Sequence, residues 1–182
     1  MTELQMQFLE LAILDQMKYA DISAKLSVDQ KTLSRWWEEL KPEREKLSTL
    51  RQLWKVKCET ASFWDFKIWF ESTEKKCHYC GITEPEIEQL ILKDLIHTKR
   101  LVTRGRKLEI DRVSPNLPYD TLSNLVFCCY WCNNAKSDEF SAEEFKPLGD
   151  AIKIIWQQRL RSDKYIGDGS GMTIMKEDDT GQ

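Results

Sequence analysis

Two close pairs of cysteines are the clearest chemical signal in this chain. Cys77 and Cys80 are separated by two residues, and Cys129 and Cys132 repeat that spacing further along. Two such pairs can place four thiolates around one Zn²⁺ ion in a tetrahedron. The spacing therefore predicts one structural zinc. Cys128 lies outside this register and is expected to be a buried residue or a spare thiol, and a role as a zinc ligand stays open.

A zinc site leaves the asparagines after the second pair unexplained, and the residues between the pairs complete a larger pattern. An apolar segment ends in Asp111 and Arg112, and Asn124 follows. Asn133 comes directly after the second pair, with eight residues between it and Asn124, and Lys136 comes three residues later. This pattern resembles that of the zinc-bearing HNH endonucleases. In that family a CxxC pair precedes Asp-His or His-His, an Asn, and a second CxxC pair followed by His or Asn and then Lys.

The resemblance covers residues 63–145 and implies a definite fold. The family has a ββα-metal fold, in which a β-hairpin and an α-helix grip one divalent cation and the zinc fastens the hairpin to the helix. It implies that Asp111, at the end of the first strand, and Asn133, at the start of the helix, are oxygen ligands of Mg²⁺ or Mn²⁺. Such hard oxygen ligands suit these cations better than thiolates do. Asn124 would brace the loop that presents Asp111 and Arg112.

The implied reaction is hydrolysis of a phosphodiester, in which a general base takes a proton from the attacking water. The family's base is a histidine at the position of Arg112, and a guanidinium stays protonated to about pH 12. Arg112 can instead clamp a phosphate oxygen. Three outcomes stay open: His97, or with less support Tyr119 or Glu109, replaces the base; the phosphate or the cation activates water; or cleavage is lost. Retained activity is favoured because Asp111 and Asn133 are both present.

Local charge favours a nucleic acid as partner, although the formal net charge is -3. Residues 99–112 contain six Lys or Arg against two acids. We expect this segment to approach Asp111 as strands joined by a tight turn at Gly105 and to neutralise backbone phosphates. A solvated charged loop is the alternative. The predicted contacts to double-stranded DNA in this part of the chain are Lys99, Arg100, Arg104, Arg106, Lys107 and Lys136.

The first forty residues have the pattern of three short amphipathic helices, with a polar break at residues 27–30. This spacing is typical of a helix-turn-helix. Its last helix would present Lys31, Ser34 and Arg35 to a major groove. Glu38 and Glu39 on the same helix would repel phosphates, so a three-helix packing module without DNA contact is the alternative.

We therefore predict an α+β protein in four parts. Residues 1–40 are a helix-turn-helix domain, 41–70 a linking helical region, 71–161 a zinc-binding HNH domain and 162–182 a flexible tail. Ser141 and Glu144 form a capping box that predicts a helix continuing through Trp156. No apolar run is long enough to cross a membrane and no signal peptide is evident, so an intracellular location is expected.

The leading hypothesis is a metal-dependent DNA endonuclease that cuts or nicks duplex DNA. A catalytically inactive DNA-binding regulator on an HNH scaffold is the alternative, and a zinc-stabilised protein-interaction domain is a third. Phage and mobile-element proteins often combine these modules, and such an origin is implied only by the resemblance. The pattern predicts no oligomeric state.

Overall fold

The computed structural model describes residues 1–58, 60–97, 99–117, 119 and 121–162. Of Lys99 and Arg100 it describes the backbone alone. The predicted flexible tail lies outside the described residues except for Ser162. Within the described part of the chain, no helix is both long and apolar enough to span a bilayer.

Three helices form the N-terminal unit: α1 (Glu3–Ile13), α2 (Tyr19–Leu26) and α3 (Gln30–Glu39). Their apolar faces meet in one cluster, whose most buried members are Phe8, Leu9, Ile22 and Leu33. The break between α2 and α3 lies where the sequence predicts it. Ser27 ends α2 in the left-handed region at φ 52°, and the Asp29 side chain accepts a hydrogen bond from the Thr32 N–H at 2.9 Å. The three predicted helices are confirmed.

Two further helices, α4 (Lys41–Lys57) and α5 (Phe63–Ser72), join this unit to the rest of the chain. α4 begins directly after α3, and its Leu47 packs against both the N-terminal cluster and the next one. In that second cluster the Trp69 and Phe70 rings of α5 lie 5.2 and 5.3 Å from the ring of Phe127. The region predicted as a linker is therefore packed on both sides, and the division of the chain at residue 40 stays a prediction.

The remainder follows the order α6 (Glu84–Leu92), β1 (Glu109–Arg112), β2 (Leu125–Cys128), α7 (Tyr130–Lys136) and α8 (Ala142–Arg161). Short 3-10 helices at Lys99–Val102 and Leu122–Asn124 precede the two strands. β1 and β2 pair antiparallel, with Glu109 opposite Cys128 and Arg112 opposite Leu125. A small two-stranded sheet in a mainly helical chain confirms the predicted α+β class.

α8 begins as the sequence predicts and packs against the first cysteine pair. The Ser141 side chain accepts from the Glu144 N–H while the Glu144 carboxylate accepts from the Ser141 N–H, so the predicted capping box is present. Gly149 lies under Tyr79, where an added Cβ would be 3.0 Å from the Tyr79 carbonyl oxygen. The glycine lets the helix approach the backbone between the two cysteines closely.

Candidate active site

The four predicted zinc ligands lie together in the core. The sulfur atoms of Cys77, Cys80, Cys129 and Cys132 are all within 4.8 Å of one another, and all four residues are buried. The Cys80 and Cys129 sulfurs are 3.7 Å apart. Zn–S bonds of about 2.3 Å in a tetrahedron require sulfurs about 3.8 Å apart. The cluster thus fits a structural metal such as zinc.

The electrostatics of the cluster also favour a bound cation. Contacts with the neighbouring cysteine sulfurs, and then burial, raise the pKa of the Cys132 thiol. Four such sulfurs can be thiolates together only when a metal ion compensates their charge. Burial likewise raises the pKa of Cys128, whose thiol donates to the Cys129 carbonyl oxygen at 3.3 Å. Cys128 is therefore a neutral buried thiol beside the cluster.

Next to the cysteines, β1 and α7 face each other through two polar contacts. Glu109 and Asp111 are two residues apart and share one face of β1. Asn133 and Lys136 are three residues apart and share one face of α7. The Asn133 Nδ2 donates to Glu109 Oε2 at 2.5 Å, and the Lys136 ammonium lies 3.3 Å from Asp111 Oδ2. These two contacts join α7 to β1.

Of the two acids Glu109 and Asp111, Asp111 is the more deeply buried. It is 4 % exposed, and Lys136 is 1 % exposed. The Tyr79 hydroxyl also donates to Asp111 Oδ2, at 2.8 Å. Burial and then the Asp111 charge raise the pKa of Tyr79, so the phenol stays a donor. Lys136, which the sequence predicted to contact DNA, has its ammonium enclosed against Asp111 in this structure, and its contact with DNA stays a prediction.

Asn133 pairs with Glu109, whereas the sequence predicted that it shares an ion with Asp111. Arg104 holds the same carboxylate, with its Nε 2.7 Å from Glu109 Oε1. Burial opposes ionisation of Glu109, but the hydrogen bonds from Arg104 and Asn133 lower its pKa overall. Glu109 is thus an ionised acceptor and a poor general base near neutral pH.

Arg112 and Asn124 hold the loop that joins β1 to β2. Arg112 donates to Asp138 Oδ1 at 2.6 Å and to the Leu117 carbonyl oxygen at 3.2 Å. Asn124 accepts from the Ser114 N–H at 2.9 Å and donates to the Ser114 carbonyl oxygen at 3.2 Å. Both side chains therefore form hydrogen bonds to the backbone of the β1–β2 loop. The sequence predicted such a contact for Asn124.

The candidate bases lie in different surroundings. The His97 ring is 64 % exposed and its Nδ1 is 3.2 Å from Asp94 Oδ1. Tyr119 lies against Arg112, whose guanidinium is 4.6 Å from the centre of the Tyr119 ring. The Lys57 ammonium approaches the Tyr119 hydroxyl oxygen at 3.4 Å. Tyr119 is thus in contact with Arg112, whereas the contact described for His97 is with Asp94.

The basic segment is only partly a strand. It begins with a 3-10 helix at Lys99–Val102, turns at Gly105 with φ +92°, and becomes extended only at Glu109. The predicted strand is therefore wrong for its first half. Lys107 is 80 % exposed at its side chain and lies 3.0 Å from Glu84 Oε2. Arg106 is exposed and donates to the Leu101 carbonyl oxygen, while the side chains of Lys99 and Arg100 lie outside the described residues.

On α3, the predicted DNA-reading residues Lys31, Ser34 and Arg35 are all exposed. Arg35 is 3.5 Å from Glu39 in an exposed ion pair. Ser34 donates to the Gln30 carbonyl oxygen of its own helix. The outer face of α3 is available to a partner, with its positive charge partly offset by Glu39.

Three contacts that shape the site were not predicted from the sequence. Tyr79 lies inside the first cysteine pair, where its spacing gives no sign of a contact with Asp111. Asp138 follows α7 in a polar loop, with no pattern that links it to Arg112. The pairing of Glu109 with Asn133 depends on how α7 is rotated against β1, which periodicity does not fix.

Comparisons with known proteins are sparse. No protein-family model matches the chain, and no curated protein matches it. The chain is similar to a solved structure of PacI, a rare-cutting HNH restriction endonuclease for which a mechanism of DNA perturbation is described. The two are 27% identical, and the match covers 68% of this chain and 78% of PacI at a TM-score of 0.45.

Proposed function

We propose that this protein is a metal-dependent endonuclease of the HNH type that cuts or nicks double-stranded DNA. One observation carries the proposal. An antiparallel hairpin and the helix after it face each other through Glu109, Asp111 and Asn133, beside four clustered cysteines. This is the order of elements and side chains that the resemblance to HNH endonucleases implies.

Asp111 and Asn133 are the proposed ligands of the catalytic cation. A carboxylate and an amide oxygen on facing elements are the hard donors that Mg²⁺ and Mn²⁺ prefer. When bound, such a cation stabilises charge on the leaving 3′ oxygen of the phosphodiester. Tyr79 and Lys136 hold the Asp111 carboxylate in one position. The acid is thereby pre-oriented before any substrate arrives.

Arg112 cannot be the base, and we assign it the task of holding the β1–β2 loop and offsetting negative charge near the phosphate. Contact with Arg112 favours Tyr119 over His97 as the group that activates water. Replacing Tyr119 with Phe should then slow cleavage about 100-fold or more, and replacing His97 with Ala should have little effect. The opposite result would return the role to His97.

Exposed basic and polar side chains supply the proposed DNA contacts. Arg106 and Lys107 lie on the segment before β1, and Lys31, Ser34 and Arg35 lie on the outer face of α3. If α3 binds phosphates, changing both Lys31 and Arg35 to Ala should weaken duplex binding and reduce the slope of log K against log salt by about 1 per lost contact. An unchanged slope would make residues 1–40 a packing module.

Plasmid nicking tests the proposed activity. Wild type with Mg²⁺ or Mn²⁺ should convert supercoiled DNA to open circles, and Asp111→Ala should not. Asp150→Ala is the matched control because that carboxylate is exposed on α8. A wild type that leaves the plasmid intact with every divalent metal would contradict the proposal.

The alternative is a DNA-binding regulator that has lost cleavage. Two observations favour it: Asp111 is buried against Lys136, and an arginine pinned by Asp138 stands where the family has its base. A regulator should shift duplex DNA in a gel without divalent metal and show no nicking with it.

A further inference from the structure

We propose that Glu109 is a positioning residue, which fixes the amide of Asn133 so that its oxygen is presented to the catalytic cation. This inference rests on the proposed function. From the sequence, Glu109 is only a weak candidate for the base. The structure instead joins it directly to a proposed cation ligand, with Asn133 Nδ2 at 2.5 Å from Glu109 Oε2.

The chemistry of the contact determines which end of the amide faces Glu109. The Arg104 guanidinium can only donate hydrogen bonds, and it donates to both carboxylate oxygens of Glu109, so both oxygens are acceptors. Only the Nδ2 end of Asn133 can therefore face Glu109, and the Oδ1 end must point the other way. Without this acceptor the amide could turn over and present N–H groups, which do not bind a cation.

Glu109 is itself fixed from the other side. The Arg104 guanidinium donates to both of its carboxylate oxygens, with Nε 2.7 Å from Oε1. Arg104 also lies over the ring of Tyr130, 5.0 Å from its centre. Tyr130 is the first residue of α7, the helix that carries Asn133. Arg104 thus holds Glu109 against α7, which carries the Asn133 side-chain amide that Glu109 orients. In this proposal Arg104 supports the site, whereas the sequence predicted that it contacts a phosphate.

Calorimetric titration of Mn²⁺ into the full-length, zinc-loaded protein tests this role without measuring cleavage. Losing a hydrogen bond that orients a metal ligand typically weakens affinity about 10- to 100-fold. We expect a loss of this size for Glu109→Ala and a smaller one for Glu109→Gln, whose amide oxygen can still accept from Asn133. Glu84→Ala is the matched control, because Glu84 contacts Lys107 and the Leu108 N–H at the start of the same strand.

A double mutant distinguishes an effect that acts through Asn133 from a general disturbance of the structure. If Glu109 acts through Asn133, Glu109→Ala should weaken Mn²⁺ binding no further in an Asn133→Ala background. The side-chain NH₂ signals of Asn133 in NMR spectra without Mn²⁺ should also move in Glu109→Ala and stay in place in Glu84→Ala. Two results would overturn the inference and leave the proposed function standing. One is an unchanged Mn²⁺ affinity in Glu109→Ala. The other is an equal loss of Mn²⁺ affinity when Glu109→Ala is introduced into wild type and into Asn133→Ala. A wild type that binds no Mn²⁺ would overturn both.

Discussion

At the scale of single residues, the Asp111–Lys136 pair is the most consequential contact in the structure. Both side chains are almost fully buried, at 5% and 1% exposure. Removing one partner of such a pair leaves the other charge uncompensated, which typically costs about 3–5 kcal/mol. We therefore expect Lys136→Met to lower the free energy of unfolding by about that amount, measured by urea denaturation.

Two further variants make this prediction specific. Lys146→Met should change stability little, because Lys146 and Asp150 are both well exposed. Adding Asp111→Asn to Lys136→Met should recover part of the loss, since no unpaired charge then remains. If Lys136→Met unfolds at the same urea concentration as wild type, the pair does not hold β1 to α7.

Residues differ in how far the sequence alone predicts their roles. The cysteine cluster could be predicted because a CxxC turn brings two sulfurs together locally. The partner of Asn133 could not, since a small rotation of α7 decides whether the amide meets Glu109 or Asp111. Lys136 illustrates the same difficulty: a lysine at a helix end is typical of a surface cation, and only tertiary packing buries it.

At the scale of elements, helix termini explain much of what the sequence predicted correctly. The capping box of α8 is a local signal, because Ser141 and Glu144 satisfy each other's backbone N–H groups. We expect Ser141→Ala to cost about 1 kcal/mol of stability in thermal or urea unfolding. Ser162→Ala, at the other end of the same helix, is the control and should cost less. Equal losses at both ends would mean that the cap does not stabilise α8.

The short strands were harder to predict than the helices. β1 and β2 have four residues each, so their extended form depends on pairing with each other rather than on periodicity. The basic segment before β1 shows the consequence. Its alternating pattern suggested a strand, but residues 99–102 form a 3-10 helix instead. Helices α1 to α3 are long enough for their apolar period to decide their structure.

At the scale of the whole molecule, the cluster of four cysteines joins parts of the chain that are distant in sequence. Cys77 and Cys80 precede α6, whereas Cys129 and Cys132 begin α7. Because ligand loss removes metal-derived folding energy, we expect Cys132→Ser to lose the zinc and to unfold at a lower temperature than wild type. The zinc content is measured by elemental analysis and the stability by circular dichroism.

Cys128→Ala provides the control for this prediction. Its thiol is as buried as those of the ligands but lies outside the cluster of four. We expect this variant to retain one zinc per chain. Loss of zinc from Cys128→Ala, or a wild type purified without zinc, would contradict the assignment of the four ligands.

In the proposed function, β1 and α7 hold a divalent cation between Asp111 and Asn133. Crystals of the zinc-loaded protein soaked in Mn²⁺ test it most directly, through anomalous scattering recorded at the zinc and manganese edges. We expect one zinc peak among the four cysteines and one manganese peak in contact with the side-chain oxygens of Asp111 and Asn133. A manganese peak elsewhere, or none while Asp111 stays paired with Lys136, would contradict it.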